Sequence, residues 1–274
     1  LKVAAALAAA RAEGIERLDA QLLLAHILGR DRAWLLAHAD APLDAAAAAA
    51  FADGCRRLRD GRPLAYLVDT REFHGLRLEV GPAVLVPRPD TETLVDWALE
   101  LLAGALASRA QPAVVDLGTG SGAIALAVKH RCPRARVAAV ERSAAALAVA
   151  RANGERLGLA VDWQAGDWWQ PLAGQCFDLV LSNPPYVAPG DPHLHALRHE
   201  PLDALVPPGH ALAAFEAIVA GAGPHLAPGG WVLLEHGFDQ AEAVQWLLWE
   251  AGFEAVEGRT DLGGRPRCSG GRRP

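Results

Sequence analysis

With 274 residues, the chain has room for one large domain, or for a medium domain with a small one attached. About half of it (51%) is hydrophobic, enough for a real core, yet no apolar run reaches the length of a membrane span without charges interrupting it. A net charge of −6 argues against a protein whose main task is gripping phosphate backbones. The four cysteines (Cys55, Cys132, Cys176 and Cys268) form no CxxC pair and no zinc spacing, so they read as reduced thiols of a cytoplasmic protein. The chain has no methionine, so Leu1 is not an ordinary initiator.

Residues 1–70 read as helices. Leu1 to Ala10 lacks a longer apolar core with a cleavage site and reads as the first helix of the fold, not as a signal peptide. Leu18, Leu22, Leu23, His26 and Ile27 recur at helical spacing, with Gly29 as a stop. A further segment passes through Trp34, and another runs from Leu43 through an alanine stretch to Leu58. Residues 71–89 read as a hairpin linker, with Phe73, Leu76, Leu78 and Val80 extended and a further strand at Val84 to Val86.

From residue 90 to 274 helix and strand alternate. The pattern predicts helix Thr91 to Leu106, strand Ala113 to Leu117, helix 121–130, strand 136–141, helix 143–157 and strand 161–165. Strand 177–181, helix 211–221, strand 230–235, helix 238–251 and strand 253–257 follow. Short buried strands alternating with helices imply a mostly parallel sheet covered on both faces. Ligands of such sheets bind beyond the carboxyl ends of the strands, so the chemistry belongs in strand-ending loops. Trp246 and Trp249, three apart on a helix, read as core.

The first such loop is Asp116-Leu117-Gly118-Thr119-Gly120-Ser121-Gly122. Its glycines permit a tight turn and close backbone approach to a ligand. Alone it is compatible with a dinucleotide site or a plain turn, but its GxGxG spacing differs from the pyrophosphate fingerprint. Asp116 ahead of the glycines suits a cationic ligand better than a phosphate. The next strand ends on Glu141, about twenty residues past the glycines, where a carboxylate can accept from both ribose hydroxyls. A solvated glutamate before the helix cap Ser143 is the blander alternative. After the third strand, Asp167 and Trp168 stand where a carboxylate or an aromatic ring can flank an adenine, and of the adjacent Trp168 and Trp169 one is expected to face a ligand. The three loops together describe a site for an adenosyl ligand.

The fourth strand runs into Asn183-Pro184-Pro185-Tyr186. Two prolines stiffen the backbone and remove donors, leaving fixed carbonyl acceptors. An amide nitrogen is a poor nucleophile because its lone pair is delocalised. The Asn183 side-chain oxygen and the Pro184 carbonyl can hold the two N–H groups of an amide and turn its lone pair toward an electrophile such as the sulfonium methyl of S-adenosylmethionine. Orientation in a closed site can supply roughly 7–11 kcal/mol, with no strong base required before attack. Tyr186 adds a flat face that can stack on a planar amide.

Asn-Pro-Pro-Tyr resembles the motif of amino methyltransferases that act on adenine, cytosine or glutamine amide. The chain as a whole resembles the PrmC/HemK family of release factor glutamine methyltransferases. The resemblance rests further on Val86-Pro87-Arg88-Pro89-Asp90-Thr91-Glu92, Gly61-Arg62-Pro63 through Tyr66, Glu72-Phe73-His74-Gly75, Glu200-Pro201 with Ala204-Leu205, and Leu234-Glu235-His236-Gly237 with Gln240. It implies a Rossmann-like, seven-stranded class I methyltransferase domain behind a small N-terminal helical bundle that helps dock a release factor. It implies that Asn183 to Tyr186 hold the glutamine of a Gly-Gly-Gln tip. Asp116, Gly118, Thr119, Gly120, Ser121, Gly122, Glu141, Asp167, Trp168 and Asn183 are then expected to hold S-adenosylmethionine, with no metal.

The chain departs from the family pattern at Glu141, where aspartate is more usual, at Asp90, which replaces a glutamate, and at Val206 to Ala211, which lacks an Asp-Gly-Leu. The family finishes with a strand near Gly264 to Pro274, but the Gly, Pro and Arg content predicts that this strand is disrupted. His193, His195 and His199 with Asp191 lack a metal spacing and read as a variable loop that Glu200 orients. Arg88 reads either as a positioning contact or as a surface ion pair. Three rival functions were weighed. An adenine-N6 DNA methyltransferase shares the tetrapeptide but would call for base flipping and a basic recognition domain. A glutamine methyltransferase of a large-subunit ribosomal protein shares the chemistry. A non-enzymatic assembly protein needs neither motif. The expectation is a protein substrate, without direct nucleic-acid or membrane binding.

Overall fold

Four helices fill the first seventy residues: α1 (Val3–Ala12), α2 (Arg17–Leu28), α3 (Arg32–Ala37) and α4 (Ala45–Arg59). Local signals set their ends. The carboxylates of Asp31 and Asp44 each accept the third helical N–H at 2.7 Å, and α2 stops on Gly29 at a φ of 60°. Their shared core contains Val3, Leu23, Leu24, Leu35, Phe51 and Cys55. The inner face of α2 is not the one its leucine spacing suggests. Leu18 and Leu22 are exposed, while Ala20, Gln21 and Leu24 turn inward beside Leu23. Small residues permit close helix approach: a Cβ on Gly54 of α4 would lie 2.6 Å from Leu23 of α2. The computed structural model describes residues 1–274 as two units, the first comprising Leu1–Thr70 together with His193–His199. In that segment Arg198 bonds the Asp60 carbonyl and carboxylate, and His199 Nε2 lies 3.0 Å from the same carbonyl.

The second unit comprises Arg71–Pro192 and Glu200–Pro274. A hairpin of β1 (Thr70–Phe73) and β2 (Leu76–Glu79) turns on His74 and Gly75, both with positive φ (49° and 80°), as a two-residue hairpin of this twist requires. The strand expected at Val84 to Val86 does not form. The Val86 N–H finds its acceptor in the buried Glu200 carboxylate at 3.0 Å instead of in a neighbouring strand. A short turn of 3-10 helix (Pro89–Thr91) leads into α5 (Glu92–Ala103). The alternation then runs β3 (Ala113–Leu117), α6 (Ala123–Arg131), β4 (Arg136–Glu141), α7 (Ala144–Leu157), β5 (Asp162–Ala165), β6 (Phe177–Ser182), α8 (Ala213–His225), β7 (Leu226–Glu235), α9 (Ala241–Glu250), β8 (Glu254–Thr260) and β9 (Pro266–Arg272).

The seven-stranded sheet has the order β5-β4-β3-β6-β7-β9-β8. The five strands from β5 to β7 are parallel, and β9 enters antiparallel between β7 and β8. Successive residues of the central strands serve opposite faces. Val114, Val137, Leu179, Leu181 and Leu233 belong to one core, and Val115, Ala138, Val140, Val180 and Val232 to the other. Both faces are therefore covered, at about 1.5–3 kcal/mol for each large side chain fully buried. The chain runs outward from β3 through β4 to β5, then returns to β6 on the other side of β3. That reversal is the switch point beside which such sheets bind ligands. No helix is long and apolar enough to cross a membrane.

Two expectations about the C-terminal part are corrected. Trp246 and Trp249 are 57% and 62% exposed with ring centroids 5.1 Å apart, because Val244 and Leu248 take the inner face of α9. The last strand is intact: β9 buries Cys268, Ser269, Gly270 and Gly271. Glycine is required there by space, since a Cβ on Gly270 would meet Leu233 at 2.4 Å and Trp97 and the Val232 carbonyl at 2.8 Å. Gly270→Val is expected to lower unfolding stability by about 2 kcal/mol or more through overpacking. Leu262→Ala, at a fully exposed residue of the preceding turn, should stay within about 0.5 kcal/mol of the parent. Urea melts of the two variants test whether β9 is an integral strand.

Candidate active site

Beyond the carboxyl ends of β3, β4 and β6 lies a cleft that opens to solvent. Its walls bring together residues from widely separated stretches of sequence. Gly118, Thr119, Gly120 and Ser121 come from the glycine loop, Glu141 from the end of β4, Asp167 and Trp168 from the loop after β5, and Asn183 and Pro185 from the loop after β6. Arg88 and Thr91 close it from the segment ahead of α5. Of the residues singled out from sequence, Asp116, Gly122, Pro184 and Tyr186 do not line this cleft.

The glycine loop turns sharply because Gly118, Gly120 and Gly122 all have positive φ (74°, 57° and 85°). Its first two amides donate to the Val140 carbonyl at the end of β4 (2.9 and 3.0 Å), which ties the loop to the neighbouring strand. Asp116 lies beneath, fully buried. One of its oxygens accepts the Thr119 hydroxyl at 2.5 Å and the Ala125 N–H at 3.3 Å, and the other has no partner. Burial pushes its carboxyl up to about 7, the Thr119 and Ala125 bonds opposing and the charge of Glu141 adding. Glu141 accepts the Gly120 N–H with one oxygen and the Ser143 N–H with the other, each at 2.9 Å. Its carboxylate is thus fixed at the cleft wall with lone pairs to spare for hydroxyl donors. The two adjacent tryptophans take different surroundings. Trp168 faces the cleft at a strained φ of 45°, its ring against Gly118. Trp169 stacks on His225 (4.6 Å) and donates to the Ile218 carbonyl. A sharply turned loop, a fixed carboxylate and one aromatic wall suit an adenosyl ligand bearing positive charge.

The loop after β6 is clamped from every side. Ser182 Oγ donates to the Leu117 carbonyl at 2.6 Å, Gln240 Nε2 to the Tyr186 carbonyl at 3.1 Å, and Val187 N–H to the Leu205 carbonyl at 2.9 Å. Arg267 acts electrostatically on the Tyr186 hydroxyl and pairs with Asp261 (3.1 Å) and Asp90 (3.2 Å). Burial first, then the charge of Glu235, pushes the Tyr186 phenol up to about 12, so it stays neutral. Asn183 Nδ2 donates to Thr91 Oγ1 at 3.3 Å, and both side chains also bond the carboxyl of Glu235 at the end of β7. Burial pushes that carboxyl up to about 7 against the two hydrogen bonds and the attraction of Arg267. Glu200, almost wholly buried, bonds Arg88 and the Val86 N–H, so Arg88 serves a positioning contact. Arg267, Glu235 and Thr91 carry no local sequence signal for this role. Glu235 and Thr91 sit inside recognised motifs, whereas Arg267 lies in the stretch whose composition argued against order. No group of three His, Cys, Asp or Glu side chains is placed to hold a metal ion.

Asp116 sets a pH signature. Its pKa is raised above the value of 3.8 for an unperturbed carboxyl, so the folded state binds the extra proton and loses stability as pH rises through about 7. Asp116→Asn is a neutral stand-in that lacks this loss. The melting temperature of the variant relative to the parent should therefore climb between pH 5.5 and 8 and level off above. The lowered pKa of buried His236 acts in the opposite sense, but equally in both proteins, and cancels in the difference. Thermal melts of the pair across that range measure it.

Comparison with known proteins agrees with this geometry. Residues 1–68 match the PrmC N-terminal domain, and residues 91–237 match the methyltransferase small domain. The release factor glutamine methyltransferase of Bordetella pertussis is 51% identical over 94% of this chain and 95% of its own length. That of Xylella fastidiosa (strain Temecula1) is 49% identical over 98% of both, and that of Escherichia coli 41% over 93% and 92%. Among solved structures, a methyltransferase from Pyrococcus furiosus superposes with a TM-score of 0.54 at 19% identity, covering 81% of this chain and 98% of that one. The 16S rRNA N2 G1207 methyltransferase of T. thermophilus, solved with AdoMet and guanosine, gives 0.55 at 22%, covering 75% and 50%. These two likenesses show the class I methyltransferase fold. With curated relatives this similar over nearly its whole length, the chain belongs to the release factor glutamine methyltransferase family.

Proposed function

We propose that the protein transfers the methyl group of S-adenosylmethionine to the side-chain amide nitrogen of the glutamine in the Gly-Gly-Gln segment of a peptide chain release factor. One observation carries this reading: Asn183, at the head of Asn-Pro-Pro-Tyr, lines the same cleft as the glycine loop and Glu141. Acceptor and donor sites therefore share one space. When bound, S-adenosylmethionine supplies a methyl group already activated by the positive charge on sulfur. Glu141 would receive the ribose hydroxyls, Trp168 would flank the adenine, and the backbone of Gly118 to Ser121 would border the rest.

The protein's own residues do the remaining work. An amide nitrogen attacks only when its lone pair is turned out of conjugation. Asn183 Oδ1 and the Pro184 carbonyl are the acceptors assigned to its two hydrogens, and Tyr186, kept neutral by its burial, is assigned to pack on the amide plane. The proton on the methylated nitrogen becomes strongly acidic and leaves after attack, so no residue has to remove it first. The gain comes from orientation and exclusion of water. Docking of the release factor is assigned to the helical unit, where the PrmC N-terminal domain match falls. Such a reaction belongs in the cytoplasm, with a protein partner.

The test mixes the protein and S-adenosylmethionine with a release factor, a large-subunit ribosomal protein and duplex DNA, and maps methyl groups by mass spectrometry. Methylation of the Gly-Gly-Gln glutamine is expected, with the rate falling about 100-fold or more in Asn183→Ala. A methyl found only on the ribosomal protein or only on DNA would overturn the substrate assignment. Glu141→Ala should weaken S-adenosylmethionine binding about tenfold or more, read by titration calorimetry, through loss of charge-assisted hydrogen bonds.

A further inference from the structure

We infer that Glu235 is a positioning residue for methyl transfer: together with Thr91 it captures the amino group of the Asn183 side chain, leaving Asn183 Oδ1 as the atom presented to the substrate amide. The inference rests on the reaction proposed above and specifies how its central side chain is held.

Strand register brings the two residues together. Ser182 of β6 pairs with Leu234 of β7 in parallel, so the residues next in line, Asn183 and Glu235, emerge side by side at the carboxyl edge. Thr91 reaches the same point from the segment before α5 and is 4% exposed, while Glu235 is 1% exposed. The hydrogen-bond inventory then admits one arrangement. The Glu235 carboxyl faces the side chains of Thr91 and Asn183, which lower its pKa as donors do, and its Oε2 has no partner. With its single hydrogen turned to that carboxyl, the threonine hydroxyl can only accept from Asn183. The only donor on the asparagine side chain is Nδ2, which bonds Thr91 at 3.3 Å and has its other hydrogen to offer Glu235. Both hydrogens are committed inward, and Oδ1 is left for the cleft that Asn183 lines.

Rotating the asparagine amide by half a turn would set Oδ1 against the carboxyl oxygen, acceptor against acceptor, and lose both bonds. The NH₂ group would then face the cleft, where a glutamine NH₂ needs an acceptor. A neutral asparagine has no intrinsic preference between these rotamers, so the choice is imposed by its neighbour. Arg267, Asp90, Tyr186 and Cys268 also act electrostatically on this carboxyl, yet none of them bonds Oε2.

The chain contains two asparagines, Asn153 and Asn183. Selective ¹⁵N-asparagine labelling therefore gives two side-chain NH₂ pairs, and the pair absent from Asn183→Ala identifies Asn183. Asn153 serves as an internal reference, because its Nδ2 donates to the Glu79 and Ser121 carbonyls. In Glu235→Leu the Asn183 pair should shift and exchange with solvent about tenfold faster or more, with the Asn153 pair unmoved. The kcat should drop about 100-fold, while KM for the release factor and the affinity for S-adenosylmethionine stay within about twofold. Glu235→Gln, which keeps an acceptor oxygen and the side-chain volume, should shift the Asn183 pair but retain most of the rate. It also decides the matter if the leucine variant does not fold. An Asn183 pair unmoved in a folded Glu235 variant, or a Glu235→Leu enzyme with parental kcat, overturns the inference. The spectra need no substrate, so failure of the release-factor reading would appear separately, as absence of methylation by the parent protein.

Discussion

The active end of this fold is governed by the cost of keeping polar groups where water cannot reach them. A parallel sheet covered on both faces carries its loops at one edge, and the side chains beneath those loops are cut off from solvent. Asp116 closes the hydrogen-bonding ring of the glycine loop from below, and Glu235 does the same for the loop after β6. Each carboxyl spends one oxygen on loop groups and leaves the other unpaired. An unsatisfied buried polar atom costs about 1–3 kcal/mol. The fold tolerates that cost at the ends of β3 and β7, the two strands that flank β6.

Much of the sheet was legible because β3, β4, β6 and the end of β7 are buried on both faces, leaving short apolar runs bounded by polar loops. The glycine loop and Asn-Pro-Pro-Tyr were legible for another reason: their residue types have few uses at the end of a buried strand. What resisted reading depends on neighbours far away in sequence. Val84 to Val86 has the composition of a strand, but the Val84 N–H turns back to the Gly81 carbonyl and the Val86 N–H goes to Glu200, more than a hundred residues on. Trp246 and Trp249 share a helix face, and only the packing of Val244 and Leu248 shows that the shared face is the outer one. The terminal strand looked broken because glycines carry no strand propensity, whereas here they make room for Trp97 and Leu233.

That terminal strand does more than complete the sheet. It delivers Arg267 to the Tyr186 hydroxyl and Ser269 to His236 Nε2 at 2.9 Å. Arg267 is planar and carries several donors, so one side chain can serve Asp261, Asp90 and Tyr186 together. The segment before α5, the loop after β6 and the last hairpin thereby meet on one guanidinium. A displacement of any of them is felt by the tyrosine that flanks Asn183.

Glu141 at the end of β4 fits the same logic. A longer side chain needs more anchoring if its carboxylate is to hold a fixed place, and Glu141 is anchored twice, by the amides of Gly120 and Ser143. The second of these belongs to the residue whose own hydroxyl caps α7 by accepting the Ala146 N–H, so the carboxylate and the helix start are set by one turn of chain. The first ties the carboxylate to the glycine loop on the neighbouring strand. The carboxylate thus couples two walls of the cleft, the end of β4 and the glycine loop.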